Sequence, residues 1–251
     1  MRTLPFLLRP LLLFLLLGSA AAAPAKSASP EVAKLGFFIG DVRCRTGAGP
    51  WAPARLNQSL RAEQELRTGP ESRAELQLGS SVVRLGERSQ LRLADLKRKG
   101  EAAEGGLQLL FGQLWTRLRN LGDEGLELRS PTAVMAVRGT IFRAEAGVDS
   151  SLAMWVYEGR VDMGGADQAV GSDTGQAAPA APTGEPRPAG GPRPVPGPYE
   201  ITLDEWVRVT QGMRFVLRPD GRYALESFDA EQDRLDDWVR WNLARDAALH
   251  E

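Results

Sequence analysis

Cysteine and histidine are nearly missing from this 251-residue chain, which holds one of each, Cys44 and His250. A lone cysteine forms no internal disulfide, so packing and hydrogen bonding must hold the fold together. A zinc site built of cysteine and histidine ligands is excluded on count, and no metal or cofactor is expected. With its one histidine next to the last residue, the chain lacks a base for a Ser-His-Asp or Cys-His nucleophile. Carboxylate chemistry survives, since Asp and Glu together number 32. Nothing in their spacing sets a pair apart. Cys44 lies in the alternating segment GFFIGDVRCR and reads as a small core residue rather than a reactive thiol. A basic excess is absent as well: the formal net charge is −1, and no basic patch points to nucleic acid as a partner.

The first residues carry a different pattern. Arg2 and Arg9 give a positive start, Leu11 to Leu17 an apolar stretch, and small residues follow. That order reads as a secretory signal peptide over residues 1–25, cut after Ala23 or Ala25. Its apolar stretch is shorter than the ~20 residues a spanning helix needs, so no stable membrane insertion is expected. The mature protein is then expected in the periplasm or outside the cell. Removing the two leader arginines from the 31 basic residues leaves 29 against 32 acidic ones, a net of −3. Residues 26–35 read as a spacer.

Helical periodicity is scarce after that, and period two takes over. In SRAELQLGSSVVRLG, Ala74, Leu76 and Leu78 alternate with Glu75 and Gln77, and Val83 and Leu85 resume the pattern after a Gly79-Ser80 turn. SQLRLADL, GLQLLFGQLWTRL and EGLELRS supply further short apolar runs. Alternation of this kind predicts strands with one buried face and one wet face, and residues 36–163 read as an all-β domain. Residues 164–198 are built of Gly, Ala and Pro and cannot bury enough surface to offset chain entropy, which predicts a disordered loop. Residues 199–228 read as strands returning to the same domain, with a Pro219-Asp220-Gly221 turn. A helix is expected over 229–247. Asp229 and Gln232 resemble a capping box, and Leu235, Trp238, Val239 and Leu243 share one face, with Trp241 off that stripe. Two tryptophans on so short a helix dock it onto a sheet or, alternatively, leave Trp238 and Trp241 as an interaction platform. The final LARDAALHE reads as a solvated face.

One stretch, SPTAVMAVRGTIF from Ser130 to Phe142, stands out, because an Arg-Gly-Thr interrupts an apolar run. A glycine there marks a turn or a close backbone approach, and Arg138 beside it is either a structural corner or a ligand contact. Together with MWVYEGRVDM this stretch resembles the A-x-R-G-T-x-F and V-x-x-G-x-V elements of the FecR domain. The first half is similar to that family too. It has a Gly-x-Val strand, a tryptophan near the first loop, an Arg-Thr-Gly, a Ser-Arg-Ala strand and a Ser-x-Leu, with Gly79-Ser80-Ser81 where Asp-Gly-Ser is common. The resemblance spans residues 36–163 and marks Arg138, Gly139, Thr140, Phe142 and Gly159 as family motif residues, read as structural.

The resemblance implies a compact, twisted β-solenoid or roll of short strands, here with a Pro/Gly/Ala-rich insertion and one terminal helix. It also implies an extracytoplasmic setting. The family is named for regulators that relay receptor occupancy to a cytoplasmic sigma factor, through a sigma-binding segment before the domain and an α/β lobe after it. Neither pattern is present, so no direct contact with a sigma factor is expected. Three functions stay open. They are a non-catalytic binding or sensory module recognising an envelope protein or glycan, a structural accessory of an envelope assembly, and a carboxylate-dependent hydrolase. The scarcity of histidine and cysteine favours the first two.

Overall fold

The computed structural model describes residues 31–94, 97–99, 102–119, 125–166 and 206–249. The leader read over 1–25 and nearly all of the stretch read over 164–198 lie outside these residues. The chain begins with β1 (Glu31–Ile39), β2 (Val42–Thr46), β3 (Ala52–Pro53), β4 (Ser59–Arg61), β5 (Gln64–Thr68), β6 (Arg73–Leu78), β7 (Ser81–Leu85) and β8 (Gln90–Arg92). There follow β9 (Lys97–Lys99), β10 (Ala102–Arg117), β11 (Leu126–Arg129), β12 (Ala133–Ala146) and β13 (Leu152–Gly165). The last strands are β14 (Val207–Thr210), β15 (Met213–Leu217) and β16 (Tyr223–Ser227), before the helices α1 (Ala230–Asp233) and α2 (Asp237–Ala248).

The expected all-β class is what forms: one open sheet whose main path runs β16-β15-β13-β12-β11-β10-β7-β6-β1-β4. Its pairings are antiparallel except for β10 with β11. Turn chemistry fixes the register. Gly79 sits at φ +61 between β6 and β7, where L side chains are strained. The long β12–β13 hairpin runs from Ala133 opposite Gly165 to Ala146 opposite Leu152. It is closed by Asp149, which accepts from the backbone N–H and the hydroxyl of Ser151 at 3.0 and 2.6 Å. β13 carries the returning segment along its free side, pairing with β14 over Arg160–Met163 and with β15 over Leu152–Trp155.

A single apolar cluster fills the inside of this sheet, with members from β1 (Val32 and Leu35) to β15 (Phe215 and Leu217). β1 therefore starts earlier than the spacer read over 26–35 allows, because Val32, Ala33 and Leu35 are buried in that cluster. Cys44 is a core residue too, and burial pushes its thiol up to about 11. Since the thiolate is the reactive form, Cys44 is expected to resist thiol reagents at neutral pH until the chain is denatured. Labelling of the folded chain at the rate of a free peptide thiol would contradict this burial.

Two expectations need correction. The outer face of the sheet is not wet throughout: Arg84, Trp115, Arg143 and Glu75 all point away from the apolar cluster and are buried. The terminal helix is also not one helix. It breaks after α1, and Asp236 caps a new start by accepting from the backbone N–H groups of Trp238 and Val239. Leu235 falls in the break and is 68% exposed. Of the expected stripe, Trp238 and Val239 are buried and Leu243 packs beside them, and the polar Asn242 and Asp246 share the buried face.

Candidate functional site

Arg138, Gly139 and Thr140 lie inside β12, at a bulge where the register with β13 shifts between Arg138 and Ile141. Gly139 and Gly159, on neighbouring strands, have φ of +58 and +83. The hydroxyl of Thr140 is shared between the carbonyls of Arg138 and Arg160, at 3.0 and 2.9 Å. Two glycines thus let both strands kink together, and the threonine replaces the ladder bonds the kink removes. Phe142 follows, fully buried in the core. Arg138 is exposed and stands directly opposite Arg160.

A second constellation is larger and escaped the sequence reading. Because side chains alternate along each strand, one row crosses eight strands in lateral register: Phe37, Glu75, Arg84, Trp115, Arg143, Trp155, Arg214 and Glu226. Directly opposed residues have Cβ atoms about 5 Å apart, so guanidinium and indole groups stack. The Arg143 guanidinium lies 3.9 Å from the centre of the Trp155 ring and that of Arg214 lies 5.7 Å from it.

The two helices close much of this row. Arg84, with no exposed side-chain surface, donates to Glu75 at 2.7 Å and to Asp246 of α2 at 2.7 Å. The other Asp246 oxygen accepts from the Trp115 indole at 3.0 Å, and the Asp246 backbone carbonyl accepts from Arg117 at 2.7 Å. Arg245 donates to Glu75 at 2.8 Å and lies over the Phe37 ring at 4.2 Å. Arg245 and Asp246, read as part of a solvated face, are therefore anchored to the sheet. From α1, Asp233 accepts from Arg143 at 3.0 Å and from the Tyr157 hydroxyl. Trp238 and Trp241 stack on each other at 5.4 Å, with Arg73 over Trp241 at 4.9 Å. Trp241, read as off the buried stripe, packs against this face alongside Ile141, Tyr157 and Leu243.

Charge sets how this closure responds to pH. Burial pushes the Glu75 carboxyl up, but hydrogen bonds from Arg245 and Arg84 outweigh it and hold the group below its ordinary range. A depressed carboxylate stabilises the fold above its unfolded pKa of about 4.3, and that contribution is lost as pH falls through the lower folded value. Glu145 runs the other way: burial raises it, Arg143 opposes, and Asp236 and Asp233 reinforce the rise. Its contribution is present below the unfolded pKa and fades as pH rises through the folded one. With Glu75 in direct contact with both arginines, tryptophan fluorescence is expected to report loosening of α2 below about pH 4. Docking that tightens on acidification through that range would instead assign control to Glu145.

This chemistry holds helices to a sheet. Each buried carboxylate among the described residues is engaged by arginine: Glu65 by Arg45, Glu75 by Arg84 and Arg245, and Asp246 by Arg84. Among the described residues no group of acidic, cysteine or histidine side chains is arranged to hold a metal ion, and no helix is long and apolar enough to cross a membrane. An open depression with a mostly polar lining lies between Arg73, Gln113 and Glu87 on the sheet side and Asp236 to Trp238 on the helix side.

No curated protein matches the chain. Two crystal structures of a proposed anti-sigma factor from Parabacteroides distasonis, at 1.65 and 2.50 Å, align with 13% identity and a TM-score of 0.44. They cover 66% of this chain, which spans only 61% of theirs. The family described as FecR protein matches residues 64–162. That span runs from β5 into β13 and holds both the Arg-Gly-Thr bulge and the centre of the row, while β1 to β4 fall outside it. Over residues 64–162 this chain is similar to the FecR protein family.

Proposed function

We propose that the chain is a non-catalytic interaction module of the cell envelope, exported by its leader and acting in the periplasm or outside the cell. The observation that carries this reading is the FecR match over residues 64–162, a family named for regulators. The chemistry of the outer face supports it. Arginine-held carboxylates are poor general acids, because the charged partner favours their ionised form, whereas rows of Arg and Trp are the side chains that dominate recognition surfaces. In this reading residues 36–163 and 206–228 work as one β domain, and α1 and α2 are its built-in cover rather than a partner platform at Trp238 and Trp241.

Affinity capture from an envelope extract on immobilised residues 26–251, run beside a peptidoglycan-binding assay, addresses the proposal. A specific envelope protein or glycan retained by the folded chain, and lost on its denaturation, is the expected result. Turnover of a glycan or peptide that depends on one particular Asp or Glu would overturn it in favour of a hydrolase. Recovery of the chain in the cytoplasmic fraction would overturn the assigned compartment.

A further inference from the structure

The row beneath α2 has a smaller counterpart that no helix covers among the described residues. Strand β2 presents Arg43 and Arg45 on one face, and β5 places Arg67 directly opposite Arg43 and Glu65 directly opposite Arg45. Trp51, just before β3, lies within stacking range of two of these groups, with the Arg45 guanidinium 4.5 Å and the Arg67 guanidinium 4.6 Å from its ring centre. Trp51 and Arg67 are both partly exposed.

The charges here are not balanced. Arg43 is paired with Asp41, and Arg45 with Glu65, which also accepts from Gln90. Arg67 reaches no carboxylate among the described residues and is held only against the Trp51 ring. Two arginines directly opposite each other weaken a strand pair, and a guanidinium held over an indole with no carboxylate partner keeps its planar fork of donors available. The same molecule illustrates what an Arg-Trp surface of this kind accepts: at the covered row, the occupant is a helix that inserts an aspartate between an arginine and a tryptophan.

We propose that the Trp51, Arg43 and Arg67 surface docks an acidic helical segment of a partner protein, which sets a carboxylate on Arg67 and packs an apolar side chain beside Trp51. This site is separate from the covered row and goes beyond the module assignment above, so either can fail alone. The partner's carboxylate supplies the charge that Arg67 lacks, and the preset stack spares the side-chain ordering that binding otherwise costs.

The probe is a fluorescein-labelled, end-capped peptide of about 20 residues, long enough to sample helix, built of repeating Glu-Ala-Ala-Glu-Leu and followed by anisotropy against the full chain at low salt. Binding is expected to weaken about tenfold in Trp51→Ala and in Arg67→Gln, with melting temperatures unchanged in Arg67→Gln, and to vanish when glutamine replaces glutamate in the peptide. Absence of binding, or binding equal in wild type and both variants, would overturn the proposal. So would dextran sulfate binding with the same dependence on Trp51, which would make the surface one for acidic polysaccharide.

Discussion

Replacing Asp246 with alanine is expected to lower the unfolding free energy by about 3–5 kcal/mol, because it strands buried cations rather than merely deleting a contact. Arg84 is 0% and Asp246 6% exposed, so water cannot readily take the place of the lost carboxylate. Arg84 would keep Glu75, but Glu75 is already shared with Arg245, and the Trp115 indole would lose its acceptor as well. The loss should appear in chemical denaturation as a lower midpoint. A double variant, Arg84→Met with Asp246→Leu, should recover part of it, since apolar replacement of both members of a buried pair is often neutral. A loss below about 1 kcal/mol for Asp246→Ala would mean that α2 lifts away and leaves Arg84 solvated. The helix would then contribute little to the stability of the sheet.

At the β12–β13 bulge the larger penalty belongs to Gly159, not to its better-marked neighbour. A Cβ at Gly159 would lie 2.7 Å from the Gly139 carbonyl oxygen, while a Cβ at Gly139 meets nothing within 4 Å. Both residues have positive φ, so both substitutions are strained, but only one also drives a side chain into fixed backbone. Gly159→Val is therefore expected to cost about 3 kcal/mol or more, and Gly139→Ala about 1–2 kcal/mol. Thermal melts of the two variants give the order directly. Equal losses would show that the bulge relaxes freely, and loss of partner capture without loss of stability would turn the Arg-Gly-Thr from a corner into a contact.

The strands were legible because period two survives in Ala74, Leu76 and Leu78 and in Val83 and Leu85, which all enter the core. What period two does not tell is whether the other phase meets water. Glu75 and Arg84 occupy that phase and look like ordinary solvated residues, yet α2 arrives from 162 positions away to bury them. A signal was present in the aromatics. Trp115, Trp155 and Tyr157 also stand on the outer phase, and three large rings on a face meant for water imply a cover. The terminal helix departs from its apolar pattern for a related reason. An apolar stripe through Leu235 ignored Asp236, whose side chain restarts the helix, and the groups that dock it most firmly are polar, Asn242 and Asp246. Leu235, the apolar residue trusted at that end, faces outward.

The distance along the chain between Arg84 and Asp246 carries a consequence for the order of events. As a chain emerges amino end first, β7 and its arginine are present long before α2 exists. Contacts of such long sequence separation form late and slowly. Until they form, a sheet with its apolar side already closed would hold its guanidinium groups and indoles open on the other, a surface suited to a holding chaperone or to unwanted pairing with a second chain. The terminal helix then acts as a seal applied last, and a chain that stops short of it leaves a recognisable mark of incompleteness.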